Sequence, residues 1–348
     1  MDYQLIYIGE HSDGFTRKGR GKGFEYFDRK GQKIKDPTTI ERINELKIPP
    51  NWQDVWISPD PRGHIQAVGK DARNRSQYLY HELWQQYRNS SKFKKLEEFA
   101  KCLPQIRKKA SKDIKLEGWP KEKVMGLIVL TLDEAYLRIG NEFYKNENET
   151  FGLTTIRRRH LHFHDNMIDL EFKAKSGKYR KINIKNNHLV NLIKECAELP
   201  GYEIFRYKQR GASTAPVDSS DVNLYLKNIS NENFSSKDFR TWGGTVLALE
   251  KFPHALEMTK KNKRLKLNAT LVKLVAKILG NTQSICRNYY IHPAILNLVD
   301  QNKLNKLYFD EYPTSKYELS AAENKALELI ADFKVEKINV KPQMETAV

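Results

Sequence analysis

Cysteine is scarce in this chain. The three residues among 348, Cys102, Cys196 and Cys286, are an odd number with no CxxC spacing. They fit reduced thiols in a cytosolic protein rather than a disulfide framework. Long apolar runs are missing too: the longest, VMGLIVLTL over 124–132, is half a membrane span and predicts a buried helix. The opening residues, MDYQLIYIGEHSDGF, lack the basic-then-apolar layout of a signal peptide. The expectation is a soluble cytoplasmic protein with no membrane partner.

Cofactor motifs are absent as well. KGRGKG, 18–23, is glycine-rich but fits neither G-x-G-x-x-G nor the Walker pattern, and no strand is expected before it. It reads as a flexible basic loop. His160, His162 and His164 alternate along one expected strand and so share a face, yet no Cys, Asp or Glu set completes a metal site. Nothing near Cys286 forms a Cys–His pair, so that thiol reads as structural. No cofactor and no metal are expected, and there is neither an internal repeat nor a low-complexity tract.

What the chain has in excess is positive charge. Lysine and arginine number 60 against 43 acidic residues, a formal charge of +17. A surplus spread along the whole chain points to a polyanionic partner, most often nucleic acid. At 39% hydrophobic, the chain is long enough to build good cores in two or three domains.

The pattern predicts an α+β fold with a small, mainly β N-terminal domain (1–90), a larger, mainly α catalytic domain (91–335) and a loose tail (336–348). GFEYF and VWISP are short aromatic or β-branched runs between turn residues. DPTTIERINEL offers Asp36 as N-cap, a proline in the first turn and Ile40, Ile43 and Leu46 on one face. From about residue 92, KFKKLEEFAKCL and KEKVMGLIVLTLDEAYLRIGN recur at helical spacing. Between 154 and 184 the period changes to two: TTIRRRHLHFH, MIDLEFKA and YRKINI predict a three-strand antiparallel meander. Helices are expected again over 187–198, 219–228, 243–250 and 268–279. A last one in SAAENKALELIADF is opened by the capping-box pair Ser320 and Glu323.

Several residues look out of place for a structural role. Arg138 ends an apolar helix in AYLRIGN, and Arg240 sits between Phe239 and Trp242. A buried arginine needs an anion, which an internal carboxylate or an external ligand can supply. Lys175 lies at a hairpin tip, FKAKSGKY, where a lysine is ordinarily solvated. Tyr289 and Tyr290 are adjacent in ILGNTQSICRNYYIHP, although a tyrosine with its ordinary pKa of about 10 is a poor nucleophile. Singly, none of these decides a function.

Their order does. Arg, Lys on a β-hairpin, K-x-x-R, then G-N-T followed by Tyr nine residues after the Asn resembles the active site of the type IB DNA topoisomerases, above all the compact bacterial and poxvirus-type enzymes. The stretch from Gly21 to His81 resembles the bacterial family's N-terminal domain. RIGNEFYKNENETFGLTTIR and LGNTQSICRNYYIHP resemble its catalytic domain, so the likeness runs over roughly residues 5 to 300. The resemblance implies a tyrosine-recombinase-like catalytic domain in which Tyr290 forms a 3′-phosphotyrosyl link. Arg138 and Arg240 match its arginines, Lys175 its general acid, and Asn281 stands where many members carry histidine. Asparagine's amide donates a hydrogen bond but cannot titrate. The register makes Tyr289 a packing neighbour, and Lys237 also resembles a residue close to the scissile phosphate.

In GKDARNRSQYLYHE, Lys70, Arg73 and Arg75 suit phosphates, while Gln77, Tyr78 and Tyr80 suit base edges and sugar. Double-stranded DNA is therefore the expected partner, clamped by a monomer and relaxed without ATP. The alternatives are a tyrosine recombinase or integrase and an inactive DNA-binding relative. Recombinases typically show H-x-x-R where this chain has Lys237-Asp-Phe-Arg240.

Overall fold

The expected short strands of the first 80 residues close into one antiparallel sheet. The computed structural model describes residues 5–8, 13–21, 23–211, 213–304, 317–333 and 340–341. Contacts divide the chain into two units, 1–92 with 335–348, and 93–334.

In the first unit, strands Phe15–Arg20, Gly23–Phe27, Gln53–Ile57, Ile65–Lys70 and Ser76–Tyr80 form a five-stranded sheet in which the Gly23–Phe27 and Ser76–Tyr80 strands are the edges. KGRGKG departs from the sequence expectation. Lys18, Gly19 and Arg20 are in a strand, and the glycines turn a hairpin in which Gly21 has φ +56°. Helix Pro37–Glu45 begins as expected, with the Asp36 carboxylate accepting from the Thr39 amide at 2.8 Å. It buries Ile43 against Tyr26, Val55, Ile57 and Ala67. Of the expected loose tail, Val340–Lys341 pairs in parallel with Leu5–Ile6, and the rest lies outside the described residues.

The boundary between the units falls within helix Glu82–Asp113, which starts ten residues before the expected periodicity. Residues 82–91, ELWQQYRNSS, carry no 3.6-period apolar stripe that would announce it. In the second unit helix Lys121–Ala135 is buried over Val124–Val129, as the apolar run implied. Arg138 does not end this helix. Tyr136, in the left-handed region at φ +50°, stops it, and Arg138 follows in irregular backbone.

The three-strand meander is present, Leu161–Phe163, Ile168–Lys173 and Tyr179–Ile184 in that order. Its first strand is shorter than expected, because Leu153–Thr155 and Arg158–His160 are 3-10 turns. His160 is consequently buried in a turn while His162 is exposed on the strand, so the histidines do not form one face. His164 Nε2 instead lies 3.0 Å from an Asp169 carboxylate oxygen, and His162 Nε2 lies 3.8 Å from Glu171.

The expected helix at 243–250 is the middle of a longer one, Ser236–Lys261, buried along much of its length. A charged knot fastens it. Arg107 donates to Asp133 at 2.7 Å and to Glu323 at 2.7 Å, and Glu323 also accepts from Trp242 Nε1 at 3.0 Å. Glu323 opens helix Ala321–Ala331 in the expected capping box with Ser320. No helix among the described residues is long and apolar enough to cross a membrane.

Candidate active site

Two adjacent glycines in helix Ser236–Lys261 let two segments lie directly on its backbone. A Cβ on Gly243 would stand 2.2 Å from the Tyr136 ring, and one on Gly244 would stand 2.4 Å from the Tyr290 carbonyl oxygen. The stretch carrying Arg138 and the stretch carrying Tyr290 therefore flank Arg240, three residues upstream on the same helix. Tyr290 itself is the C-cap of helix Gln283–Tyr289, its amide donating to Cys286 O at 3.0 Å. Its half-buried ring lies under Arg240, whose guanidinium carbon is 5.2 Å from the ring centroid. Tyr289 is 37% exposed. Cys286, on the same helix, is fully buried, its thiol pushed up to about 12 by desolvation, which suits packing rather than nucleophilic attack.

Arg240 is 4% exposed. One terminal nitrogen donates to the Tyr136 carbonyl, the other to Leu279 O at 2.9 Å, and Nε has no protein partner. Burial, and then the neighbouring Arg138, bring its pKa down to about 10, which leaves it charged at neutral pH. Arg138 Nη2 donates to Asn281 Oδ1. With its oxygen occupied, Asn281 presents its amide nitrogen, which is buried and has no protein partner. The loop bearing Arg138 is stitched by Leu153 N to Arg138 O at 2.8 Å and by the backbone apposition of Gly140 and Gly152.

The structure thus gathers Arg138, Arg240, Asn281 and Tyr290. Lys175 is exposed in the 3-10 turn Lys175–Gly177 between the second and third meander strands, and it forms no hydrogen bond or ion pair among the described residues. Lys237 is exposed one turn before Arg240. Arg180, which the sequence reading missed, joins the cluster. Its guanidinium donates to Lys277 O at 3.3 Å and to Ile278 O at 2.7 Å, and Arg138 is near enough to depress its pKa further after burial has done so. The signal was present in YRKINI, where Arg180 occupies the face shared with Ile182 and Ile184. Among the described residues no carboxylate pairs with Arg138, Arg180 or Arg240. The internal anion that a buried arginine would normally require is missing from this cluster.

In the first unit, the turn between strands Ile65–Lys70 and Ser76–Tyr80 is organised by Asp71. Its carboxylate accepts from the amides of Arg73 and Arg75 at 2.9 and 3.1 Å, from Arg75 Nη2 at 2.6 Å and from Gln77 Nε2 at 3.0 Å. Arg75 foremost holds its pKa down at about 2. Lys70 pairs with Asp54 at 2.9 Å. Tyr78 and Tyr80 stack with ring centroids 5.9 Å apart, on the opposite strand face from Gln77. The turn thus keeps its cations together but separates Gln77 from the tyrosines.

Comparison with known proteins shows the family. Residues 81–311 match the family described as eukaryotic DNA topoisomerase I, catalytic core. This chain belongs to the type IB DNA topoisomerases. Residues 23–71 of the topoisomerase match the bacterial DNA topoisomerase IB N-terminal domain. The DNA topoisomerase 1B of Acanthamoeba polyphaga mimivirus is 30% identical over 297 residues, covering 83% of this chain and 88% of that protein. The DNA topoisomerase 1B of vaccinia virus (strain Copenhagen) is 25% identical over 287 residues, covering 80% and 88%. Among solved structures, the XerH site-specific recombinase in a post-cleavage complex reaches a TM-score of 0.37 at 15% identity, covering 58% of this chain and 50% of that one. A likeness that weak bears on neither fold nor function.

Proposed function

We propose that Tyr290 cleaves one strand of duplex DNA and that Arg138, Arg240, Asn281 and Lys175 serve the transfer. The observation that carries this reading is the Arg240 guanidinium over the Tyr290 ring with Arg138 and Arg180 beside it and, among the described residues, no carboxylate paired with any of the three. Such a set suits a phosphodiester, whose charge rises in the pentacoordinate transition state. Guanidinium forks match its oxygens better than ammonium does. Tyr290 Oη bonds to phosphorus as its phenolic proton passes to solvent water. The P–O5′ bond breaks, and O5′ takes a proton from the Lys175 ammonium. The products are a 3′-phosphotyrosyl link and a 5′-hydroxyl end, and religation is the reverse. One phosphodiester replaces another, so bond energy is conserved and neither ATP nor an obligatory metal is needed.

Asn281 Nδ2 then serves as a donor to a non-bridging oxygen, a role that hydrogen bonding fills without titration. Lys237 and the cations Lys70, Arg73 and Arg75 bind the duplex, and Gln77 on one face of its edge strand and Tyr78 and Tyr80 on the other are available to base edges and sugars. A single copy carries every side chain the reaction uses, so a monomer suffices. The place of action is the cytoplasm, on the nucleoid.

The test is relaxation of negatively supercoiled plasmid without ATP and with EDTA present, together with trapping of the covalent adduct. Wild type and Tyr289→Phe are expected to relax DNA, and Tyr290→Phe to do neither. Loss of activity on Tyr289→Phe with activity kept by Tyr290→Phe would overturn the assignment.

A further inference from the structure

Lys175 and the phosphate-facing donors come from separate parts of the catalytic unit. The general acid rides on an exposed hairpin turn, while Asn281 follows the C-terminus of helix Leu267–Leu279. Proton transfer at the leaving oxygen needs these parts in register to within a fraction of an ångström.

Arg180 is placed to supply that register. It is the second residue of strand Tyr179–Ile184, five residues after Lys175, and pairs across the hairpin with Phe172, which is buried. Its face is the apolar one, continued by Ile182 and Ile184. A guanidinium there costs desolvation unless it finds acceptors. It finds the last carbonyls of helix Leu267–Leu279, Lys277 O and Ile278 O, at 3.3 and 2.7 Å. These carbonyls lie at the negative end of the helix dipole, and Lys277 O also accepts from the Gly280 amide at 3.3 Å. Arg240 takes the next carbonyl, Leu279 O, at 2.9 Å. Gly280 makes room for the arginine: its φ is +64°, and a Cβ there would lie 1.9 Å from Arg180 Nη1 and 2.3 Å from Cζ. Asn281 comes immediately afterwards.

We infer that Arg180 is a positioning residue that pins the Lys175 hairpin to the Gly280–Asn281 turn, so that the general acid is held in register with the phosphate donors. The inference rests on the reading of Lys175 as general acid given above. It acts on the step in which the proton moves from Lys175 to O5′, and it requires no contact between Arg180 and DNA.

The experiment is single-turnover cleavage of a duplex bearing the ordinary 5′-oxygen leaving group, set beside the same duplex with sulfur at that bridging position. A thiolate leaves without a proton, so the sulfur substrate bypasses the general acid. Arg180→Ala is expected to cleave the oxygen substrate more slowly by a factor on the order of a hundred. On the sulfur substrate it should return to within a few-fold of wild type, as Lys175→Ala should. Arg180→Lys, which keeps the charge but reaches one carbonyl, should fall between. It also serves as the test variant if Arg180→Ala melts well below wild type. Equal slowing of both substrates, or no slowing of either, would overturn the role of Arg180. Failure of the underlying reading looks different: Lys175→Ala itself would then show no rescue by sulfur.

Discussion

The guanidinium carbon of Arg240 lies 5.2 Å from the centroid of the Tyr290 ring, and the same guanidinium is bound to two backbone carbonyls, Tyr136 O and Leu279 O. One side chain therefore ties together the segment after helix Lys121–Ala135, the end of helix Leu267–Leu279 and Tyr290. The Nε that remains has no protein partner. A lysine keeps the charge but has no fork with which to do all of this.

Arg240→Lys is accordingly expected to slow single-turnover strand cleavage by about 10²- to 10³-fold, the usual loss when a preorganised donor to a transition-state oxygen is removed. Equilibrium binding to the duplex at low salt should change little. Cleavage within a few-fold of wild type would show that the fork is not needed.

Gly244→Ala tests the seat of Tyr290, the proposed nucleophile, rather than its chemistry. In an exposed helix interior the change would stabilise by about 1 kcal/mol. Here the new Cβ falls 2.4 Å from the Tyr290 carbonyl oxygen and 3.0 Å from Tyr290 Cβ. The segment bearing Tyr290 has to retreat, and a displacement near 1 Å costs on the order of a hundredfold in rate. The expected result is slower covalent-adduct formation with DNA binding retained. An unchanged rate would mean that Tyr290 does not depend on this contact.

Much of this was legible in the chain because it depended on local chemistry. The cap at Asp36, the Ser320–Glu323 box and the apolar helix 124–132 rest on near neighbours in sequence, and the structure has each of them. The order of Arg138, Lys175, Arg240, Asn281 and Tyr290 was legible as a family pattern. What was not legible came from contacts distant in sequence. Tyr136 stops its helix where nothing in AYLRIGN announces a stop. The helix beginning at Glu82 has no periodic face over its first turns. The KGRGKG strands are visible only through their pairing, because lysine, arginine and glycine are poor strand signals. Arg180 could have been noticed as a charge on the apolar face of YRKINI, but its acceptors lie almost a hundred residues away.

Acid should destabilise the catalytic unit through His292. This histidine is 3% exposed, its ring lies edge-on to Phe93 and Phe333, and its Nδ1 accepts from the Ala294 amide at 3.1 Å to cap helix Pro293–Asp300. Burial lowers its pKa from 6.5 to about 4. Between those values the unfolded chain binds the proton and the folded chain does not, so the stabilisation present above pH 6.5 is lost as pH falls toward 4. The loss is at most about 3 kcal/mol. His160, also depressed to about 4, adds to the effect with the same sign. Thermal melts at pH 7 and pH 5 should show a lower midpoint in acid. His292→Asn, which can still cap, should shrink the difference between the two midpoints. An undiminished difference would assign the acid sensitivity to other groups.

DNA binding should carry the signature of the basic turn at 70–75. Two of its cations are already engaged inside the protein, Lys70 with Asp54 at 2.9 Å and Arg75 with Asp71 at 2.6 Å. Both pairs are at least partly exposed, where solvent screening keeps a protein ion pair weak, so a phosphate can compete for the cation. Each phosphate contact releases condensed counterions, and the slope of log K against log salt is about −0.9 per contact on duplex DNA. Lys70→Ala and Arg75→Ala are each expected to weaken binding across unrelated duplex sequences alike and to make that slope shallower by nearly one. The single-turnover cleavage rate of bound substrate should stay close to wild type, because neither residue belongs to the cluster around Tyr290. Titrations of labelled duplex over a range of salt concentrations measure both quantities. A slope that does not move in either variant would remove the turn from the DNA-binding surface, whatever its charge.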